Sequence, residues 1–465
     1  MNSLGGIYSR LSTSIFKDWN CCGKVMGLAP YGCETLTGGR EERGKIFPFI
    51  EGDLFEGNLE VNNEKLEGVP FCERLKVGDL DFCNSDDIDI GSSGLTYEGG
   101  NDVIEEIVDT CYNMQKDLED SVILSLKKIA NQVFEDGENM NLLLAGGVTL
   151  NSVLNGAIIR SNIFDNVYIP PFVGDEGIAF GCAAYGMISN TPNFGPNFGG
   201  IDFTPYTGPE YSGEEVEDAF SEFKSFYDII HDDVNDLPLK IAKFISEGNV
   251  LALYKGRSEI GPRALGNRSI LADPRRGGIV NLINSKIKVR ESYRPFAPSV
   301  LAEDVKEWFE DGDGDVSPFM SLTLFLRKEK RGLVNAVMHV DGSSRLQTVT
   351  ESRNTFYYNL ISEFKKLTGV PMVLNTSFNT LKGEPIVESP REAFVSWLAR
   401  APDLRYLVIN DKILERRKVE VGEGDRFKAF GRFVTITNEN YEGDITDVRV
   451  KMEGREEVSV LRNTR

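Results

Sequence analysis

The chain has 465 residues, and 51 Lys and Arg residues against 72 Asp and Glu residues give it a formal net charge of −21. At roughly 100–200 residues per domain, this length predicts two to four domains. The acidic surplus disfavours nonspecific binding to nucleic acid or anionic lipid, because attraction to phosphate drives such binding. No apolar run approaches the ~18–20 residues that span a bilayer, and no charged N-terminal segment precedes an apolar one. We therefore expect a cytoplasmic protein without a nucleic-acid or membrane partner.

The histidines and cysteines limit the chemistry available to the chain. His231 and His339 are the two histidines of the sequence, too few for a His-based triad beside a multi-His zinc site. Seven cysteines lie within the first 182 residues and show no C-x-x-C spacing. An odd number without that spacing predicts neither a disulfide framework nor a zinc ribbon, so we expect reduced thiols.

The first half of the chain predicts strand–turn–helix units. Residues 58–100 predict irregular surface or short strands. An apolar stripe that begins at Val122 and recurs after 4, 3 and 4 residues predicts a helix within residues 111–137. Residues 141–144 predict a buried strand, and a tight turn at Gly146 and a further helix follow. A second strand (NVYIPPF) and a helix rich in small residues come next, which indicates an α/β architecture.

Residues 190–211 are dense in Pro, Gly and Asn and predict a domain boundary. A second α/β unit begins with a helix near Glu214 and runs to about Arg416. The last 50 residues or so alternate apolar and polar side chains around a turn, which predicts a small β-hairpin appendage. The expected regions are residues 1–208, 209–416 and 417–465.

Residues 251–300 differ in charge from the rest of the chain, because they carry +7 inside a protein of −21. A charge run is usually a solvated face, but these cations are interleaved with Gly, Pro and apolar residues, which directs some side chains inward. A buried guanidinium without a counter-charge costs several kcal/mol, so inward-facing arginines need an anion. Each cation about 4 Å from a phosphate contributes on the order of 4 kcal/mol at an effective dielectric of 20. The cations are Lys255, Arg257, Arg263, Arg268, Arg275, Arg276, Lys286, Lys288, Arg290 and Arg294.

Two further segments suit the same phosphate site. Arg345 and His339 flank a Gly-Ser-Ser turn, and a buried strand ends in the polar run Asn375–Asn379. Hydroxyl and amide groups just past a strand end are placed for ligand contacts in an α/β sheet, although a capping and turn cluster is the alternative. The sequence has no Walker motif and no G-x-G-x-x-G after a strand, so phosphate binding would use side chains.

Glycines in the first half lie where strands meet helices, in Ala145–Asn151 and Gly174–Gly177. Backbone can approach a phosphate closely there, and a helix N-terminus favours anions. Tight packing explains such glycines equally well. Asp175 is a candidate metal ligand, although a lone carboxylate is more often a helix N-cap.

Together these segments resemble the O-carbamoyltransferases of the NodU/CmcH type. The matching stretches follow the family order from residue 3 to about residue 412, and several are long and specific. They are SLGGIYS, GKVMGLAPYG, LAGGVTLNSVLNG, PPFVGDEGIAFGCAAYG, GRSEIGPRALGNRSILADPR, KVRESYRPFAP, HVDGSSRLQTV and NTSFNTLKGEPIVESP.

The resemblance implies a two-part enzyme. Its C-terminal domain would be YrdC-like, with a twisted mixed sheet, and would join carbamoyl phosphate to ATP, with magnesium, as carbamoyladenylate. Its N-terminal domain would have the actin-like (ASKHA) ATPase fold and transfer the carbamoyl group to a hydroxyl of a small-molecule acceptor.

The resemblance also implies site residues. Lys288, Arg294 and Arg345 would be catalytic and hold the phosphates, together with Ser377 and Asn379. Arg257, Arg263 and Arg268 would shape or supplement that pocket. The adenylate site of the transfer domain would contain Lys24, Gly146, Gly147, Asn151 and Gly174.

The family's transfer domain opens with a lobe that carries an H-x-x-x-H metal pair, and this sequence has no such pair. Of the usual metal ligands Asp175 alone has a counterpart, and one carboxylate hardly holds a transition metal. We therefore expect a partial actin-like domain whose first lobe is missing. A transition metal of the iron type would bind only after a separate N-terminal lobe supplied the histidines. We expect such a lobe, or a second copy of the chain, as a protein partner.

Three functions stay open at this point. The chain forms carbamoyladenylate and completes transfer with a separate lobe, or it is a non-catalytic subunit that binds nucleotide or phosphate. The third, tRNA threonylcarbamoylation, is disfavoured because the acidic chain has no evident basic stripe outside residues 251–300.

Overall fold

The computed structural model describes most of the chain in segments. The described residues are 4–16, 18–34, 101–135, 138–190, 203–291, 293–381, 384–399 and 403–417, with strand residues at 50–51, 60–61, 76–77, 95–96, 425–429, 432–440 and 446–452. Most of the predicted boundary at 190–211 lies outside them, so the division into three regions stays a prediction. No described helix combines the length and the hydrophobicity that a membrane crossing requires.

The helices fall into an N-terminal and a C-terminal group. The first group is α1 (Leu4–Phe16), α2 (Cys22–Glu34), α3 (Asn101–Val133), α4 (Ser152–Arg160) and α5 (Glu176–Asn190). The second group is α6 (Gly213–Glu222), α7 (Leu237–Ser246), α8 (Gly278–Leu282), α9 (Val305–Trp308), α10 (Lys328–Arg331), α11 (Thr355–Thr368) and α12 (Pro390–Leu398). A π-helical turn, Ile283–Lys288, continues α8.

The strands divide in the same way. The N-terminal strands are β1 (Ile50–Glu51), β2 (Glu60–Val61), β3 (Lys76–Val77), β4 (Leu95–Thr96), β5 (Asn141–Leu143) and β6 (Asn166–Tyr168). The next strands are β7 (Tyr227–His231), β8 (Leu251–Tyr254), β9 (Arg268–Ala272), β10 (Ala297–Leu301), β11 (Leu322–Phe325), β12 (Ser343–Val349), β13 (Met372–Ser377), β14 (Tyr406–Ile409) and β15 (Lys412–Arg416). The last three are β16 (Asp425–Ala429), β17 (Arg432–Asn440) and β18 (Thr446–Met452).

A nine-stranded mixed sheet organises the C-terminal part. Its strand order is β11-β12-β10-β13-β9-β8-β14-β15-β7, with parallel pairs at β10–β12 and β8–β14 and antiparallel pairs elsewhere. Every residue of β8, β9, β10 and β14 is buried, which fits central strands that helices cover. The structure thus confirms an α/β protein with a mixed sheet. Its assignment to the actin-like and YrdC-like folds stays a prediction.

The N-terminal part is built on helices α1, α2 and α3, which share one apolar core. Gly32 of α2 lies so close to α3 that a β-carbon there would come within 2.7 Å of the Val108 carbonyl oxygen. The predicted helix within 111–137 is confirmed, and α3 begins earlier, at Asn101. Strands β5 and β6 form a separate two-stranded parallel sheet.

The two parts of the molecule are joined by close backbone and polar contacts. A β-carbon at Gly156 of α4 would come within 2.1 Å of the Thr323 carbonyl oxygen of β11, so this position requires glycine. The buried Asn155 amide donates to the Ser321 carbonyl at 2.9 Å. His339 Nε2 donates to the Gly27 carbonyl of α2 at 2.9 Å, while its Nδ1 accepts from the Val340 N–H. These contacts fix the relative placement of α2, α4 and the sheet.

The C-terminal tail differs from its prediction in one respect. Strands β16, β17 and β18 form a three-stranded antiparallel sheet, where the alternating pattern predicted a hairpin of two strands. The additional strand, Asp425–Ala429, is short and charged at its start, so its alternation is weak in the sequence.

Candidate anion-binding site

A cavity of about 220 Å³ lies where the sheet meets the N-terminal helices. The first residues of β10 and β12 and the last residues of β13 contribute to it, because the starts of β10 and β12 adjoin the end of the antiparallel β13. Helix α2 and the start of α4 close the opposite side. Residues from both parts of the chain therefore line the cavity.

Four arginines line this cavity, and no Asp or Glu lines it among the described residues. Arg263 comes from the loop between β8 and β9, and Arg345 from β12. Arg290 and Arg294 follow the π-helical turn. We call this set the arginine cavity; its arginines are Arg263, Arg290, Arg294 and Arg345.

Described protein groups neutralise the charges of the arginine cavity only in part, since Glu291 lies 3.7 Å from Arg294 but does not line the cavity. Burial lowers the pKa of Arg345 well below its usual range, and repulsion from Arg263, Arg290 and Arg294 adds to the effect. Burial also lowers the pKa of Arg290 to about 9. In the part of the chain that the structure describes, the buried Nε of Arg345 has no hydrogen-bond partner. Such crowding of like charges is stabilised by an anion.

The π-helical turn places the cations. It ends at Lys288, and Val289 follows with a φ of 47°, a left-handed conformation that is rare for a β-branched residue. The Asn284 side chain then receives the Arg290 Nε–H at 2.8 Å and donates to the Arg294 carbonyl at 3.3 Å. The turn therefore directs Lys288 towards β13 and returns Arg290 to the cavity.

Lys288 lies behind the cavity wall. Its Nζ donates to Ser377 Oγ at 3.1 Å and to Asn379 Oδ1 at 2.7 Å, and also to both backbone carbonyls. All these acceptors are neutral, and burial, with repulsion from Arg290 and Arg294, lowers the pKa of Lys288 well below its usual range. Ser377 lines the cavity, so the structure brings together Lys288, Ser377 and Asn379 beside it.

Arg268 and Arg257 lie elsewhere. Arg268 is fully buried, and its two terminal nitrogens donate to the carbonyls of Lys255, Gly256 and Asn267. Its guanidinium also stacks 3.7 Å from the Tyr254 ring centroid. Arg257 is exposed and donates to the carbonyls of Thr207 and Gly208, in the segment before α6. Neither residue lines the arginine cavity, and the contacts of Arg268 are those of a structural residue.

Lys24 lies on α2, at the edge of the arginine cavity. Its Nζ is 2.5 Å from Glu291 Oε1, and Arg294 lies 3.7 Å from the other oxygen of the same carboxylate. Although burial alone would lower it, the hydrogen bond and charge of Glu291 raise the pKa of Lys24. Gly23, its neighbour, lines the cavity.

The other predicted adenylate contacts lie on two adjacent loops of the N-terminal part. Gly146, with a φ of 101°, donates its N–H to the Val173 carbonyl at 2.8 Å, and open space surrounds the positions of Gly146 and Gly147. Asn151 caps α4 by accepting the Leu154 N–H. The Gly174 N–H donates to the Glu176 carboxylate at 3.1 Å, so a phosphate there would have to displace that group.

Asp175 is exposed at the start of α5. No group of three or more His, Cys, Asp or Glu side chains placed to hold a metal ion occurs among the described residues. The described side chains therefore do not fit a transition metal.

Arg290 is the cavity arginine that the resemblance did not single out, and it contributes one of the most strongly shifted pKa values. Its signal in the sequence is its spacing of two from Lys288, which would place both side chains on one face of a strand but on different faces of a helix. Helix α2 is the second part of the cavity that sequence reasoning missed. Its Gly23 and Gly27 line the cavity although they precede β12 by about 300 residues in the chain.

Two family models match the chain. The model described as the carbamoyltransferase N-terminus matches residues 1–184, and the model described as the carbamoyltransferase C-terminus matches residues 242–416. The chain belongs to the carbamoyltransferase family. The C-terminal match contains all four arginines of the cavity, and the N-terminal match contains α2.

Relatives support the same family. The chain is 37% identical over 400 residues to the nodulation protein NolNO of Sinorhizobium fredii, across 85% of this chain and 53% of that protein. It is 34% identical over 422 residues to the nodulation protein NolO of Bradyrhizobium diazoefficiens, across 90% of this chain and 69% of that protein. Nodulation protein U of Rhizobium tropici is 33% identical over 239 residues, across 51% of this chain and 38% of that protein. The chain thus spans between about a third and two thirds of these relatives.

Proposed function

We propose that the chain is a carbamoyltransferase that forms carbamoyladenylate from carbamoyl phosphate and ATP in the arginine cavity. The carbamoyl group would then pass to a hydroxyl of a small-molecule acceptor. In this proposal the C-terminal part acts as a YrdC-like domain and the N-terminal part as an actin-like one. Magnesium would enter with ATP, and a separate N-terminal lobe would complete the transfer site.

The observation that carries the proposal is the excess of positive charge in the arginine cavity. Arg263, Arg290, Arg294 and Arg345 face one space that no described carboxylate lines. Carbamoyl phosphate is a dianion, and each arginine about 4 Å from it would contribute on the order of 4 kcal/mol at an effective dielectric of 20. A guanidinium also offers two parallel N–H donors to a phosphate, which a lysine cannot do.

The proposed reaction balances in three steps. Water first cleaves carbamoyl phosphate into carbamate and inorganic phosphate. A carbamate oxygen then attacks the α-phosphorus of ATP, forms the bond of carbamoyladenylate and expels pyrophosphate. Transfer to the acceptor hydroxyl breaks the bond between the carbamoyl carbon and the adenylate oxygen, releases AMP, and frees the hydroxyl proton to solvent or a base.

The residues of the chain would act on these phosphates by position and charge. Arg345 and Arg263 would bind phosphoryl oxygens, since both line the cavity and the buried Nε of Arg345 has no hydrogen-bond partner among the described residues. Ser377 would add a hydroxyl at the end of β13, held by Lys288 and Asn379. Preorganised donors of this kind stabilise the charge that develops on phosphate oxygens in the transition state.

Isotope exchange tests the proposal directly. The full chain is incubated with ATP, magnesium and labelled pyrophosphate, with and without carbamoyl phosphate. We expect label to enter ATP when carbamoyl phosphate is present, and inorganic phosphate to be released. Nucleotide binding without exchange would identify a non-catalytic binding subunit, and exchange that requires threonine and bicarbonate would identify threonylcarbamoylation. The absence of both isotope exchange and nucleotide binding would refute the proposal.

A further inference from the structure

One side chain of the arginine cavity is an unpaired hydrogen-bond acceptor. Asn375 lies in β13, is 2% exposed, and lines the cavity. Its Oδ1 atom is buried and has no hydrogen-bond partner among the described residues. The charged groups of the cavity are guanidiniums, which donate hydrogen bonds and cannot accept them.

The orientation of the Asn375 amide follows from its neighbours. Its Nδ2 donates to the Ala264 carbonyl at 3.0 Å, to Ser299 Oγ at 2.9 Å and to Gln347 Oε1 at 3.2 Å. The Gln347 amide is fixed in turn, because its Nε2 donates to the Leu265 carbonyl at 2.9 Å. If the Asn375 amide were reversed, its oxygen would face a carbonyl and another amide oxygen. The unpaired atom is therefore the oxygen.

A buried carbonyl oxygen without a partner favours a ligand that brings an N–H group. The arginines beside it favour a ligand that also carries a phosphate. Carbamoyl phosphate unites the two features, since its amide nitrogen holds its only N–H donors. This argument rests on the proposed function and concerns the choice among acyl phosphates.

We propose that Asn375 determines specificity by accepting a hydrogen bond from the carbamoyl nitrogen. Acetyl phosphate has nearly the same shape and charge, but a methyl group replaces the amide nitrogen. Its methyl group would leave the Asn375 oxygen unpaired in the occupied cavity. A site built to bond an N–H group rejects the analogue that lacks it much more strongly than an apolar pocket does.

Calorimetric titration of the full chain with carbamoyl phosphate, acetyl phosphate and inorganic phosphate tests the assignment. We expect the wild-type chain to bind carbamoyl phosphate at least about tenfold more tightly than acetyl phosphate. Asn375→Leu should bring this ratio to about one while inorganic phosphate binds as before. Ser299→Ala is the matched control, because it removes one partner of the same amide and leaves the Oδ1 acceptor in place.

The outcomes separate this inference from the proposed function. Equal binding of the two acyl phosphates by the wild-type chain, with normal pyrophosphate exchange, would overturn the role of Asn375 alone. A preference for carbamoyl phosphate over acetyl phosphate that persists in Asn375→Leu would also overturn the role of Asn375. Absence of both binding and exchange would overturn the proposed function and this inference together. If the leucine variant does not fold, Asn375→Val, which suits a strand, gives the same comparison.

Discussion

Arg268 and Arg345 occupy two contrasting regions of one C-terminal sheet. Both are buried from solvent to a large degree, and both leave Nε without a partner among the described residues. At Arg268 the terminal nitrogens reach three backbone carbonyls, and the ring of Tyr254 covers the guanidinium. At Arg345 no described group accepts a hydrogen bond, and the nearest charges are three other arginines.

The difference shows how one chain uses the same side chain for opposite purposes. The protein itself offsets the desolvation of Arg268, so that residue stabilises the fold. Around Arg345 no described carboxylate offsets the charge, so under the proposed function that residue costs stability until an anion binds. Burial of a cation therefore does not identify its role, whereas the presence or absence of protein acceptors does.

The strongest test of this contrast is Arg268→Met. Loss of the guanidinium leaves the carbonyls of Lys255, Gly256 and Asn267 without their donor, and we expect the free energy of unfolding to fall by about 3 kcal/mol. Chemical denaturation measures this change. Arg257→Met is the control, because Arg257 is exposed, and it should change stability by less than about 0.5 kcal/mol. A similar change in the free energy of unfolding for the two variants would contradict the structural role of Arg268.

Arg345→Met tests the proposed anion-binding role of Arg345. Without this guanidinium we expect carbamoyl-phosphate-dependent pyrophosphate exchange to fall by at least about 100-fold. Unfolding by denaturant should show equal or greater stability than the wild type, since repulsion with Arg263, Arg290 and Arg294 is lost. Arg345→Lys keeps the charge but not the paired donors, so its exchange rate should be intermediate. Wild-type exchange in Arg345→Met would place the phosphate site elsewhere.

Inorganic phosphate should separate the two regions without catalysis. A ligand that binds the folded state alone stabilises it by about 2.7 kcal/mol at 100 times its dissociation constant. We expect phosphate to raise the unfolding temperature of the wild type and of Arg257→Met, and to leave that of Arg345→Met nearly unchanged. An equal rise in all three proteins would show that phosphate acts outside the arginine cavity.

Lys288 sharpens the comparison because its partners are neutral. Burial lowers its pKa in the folded chain, so the unfolded chain binds more protons between that pKa and the ordinary lysine value of about 10.4. The stability of the wild type relative to Lys288→Met should therefore increase as pH rises through this window, by at most about 1.4 kcal/mol per pH unit. Denaturation of both proteins at pH 7, 8 and 9 measures the difference. A difference that is constant with pH would contradict the lowered pKa.

Local sequence signals predicted several regular elements. The apolar stripe from Val122 and the segment near Glu214 predicted helices, and both occur, in α3 and α6. Residues 141–144 predicted a buried strand, and β5 occupies Asn141–Leu143, although its residues are exposed or half-buried. Each of these features depends on a few neighbouring residues, so a single sequence is enough to indicate it.

The sequence predicted part of the lining of the candidate site, because which cations reach the cavity depends on contacts between distant residues. The excess of cations in residues 251–300 indicated an anion site, yet it did not distinguish Arg268 from Arg263. That distinction depends on where backbone carbonyls lie in the folded chain. The π-helical turn that returns Arg290 to the cavity, and the His339 bond to Gly27, likewise depend on tertiary packing. Periodicity alone contains no sign of either.

The central claim is that the arginine cavity binds carbamoyl phosphate by its excess of positive charge. Calorimetric titration of the wild-type chain with carbamoyl phosphate at two salt concentrations tests it most directly. We predict saturable binding that weakens as ionic strength rises, that disappears in Arg345→Met, and that persists in Arg257→Met. Binding of equal strength in wild type and Arg345→Met, or no saturable binding by the wild type, would contradict the claim.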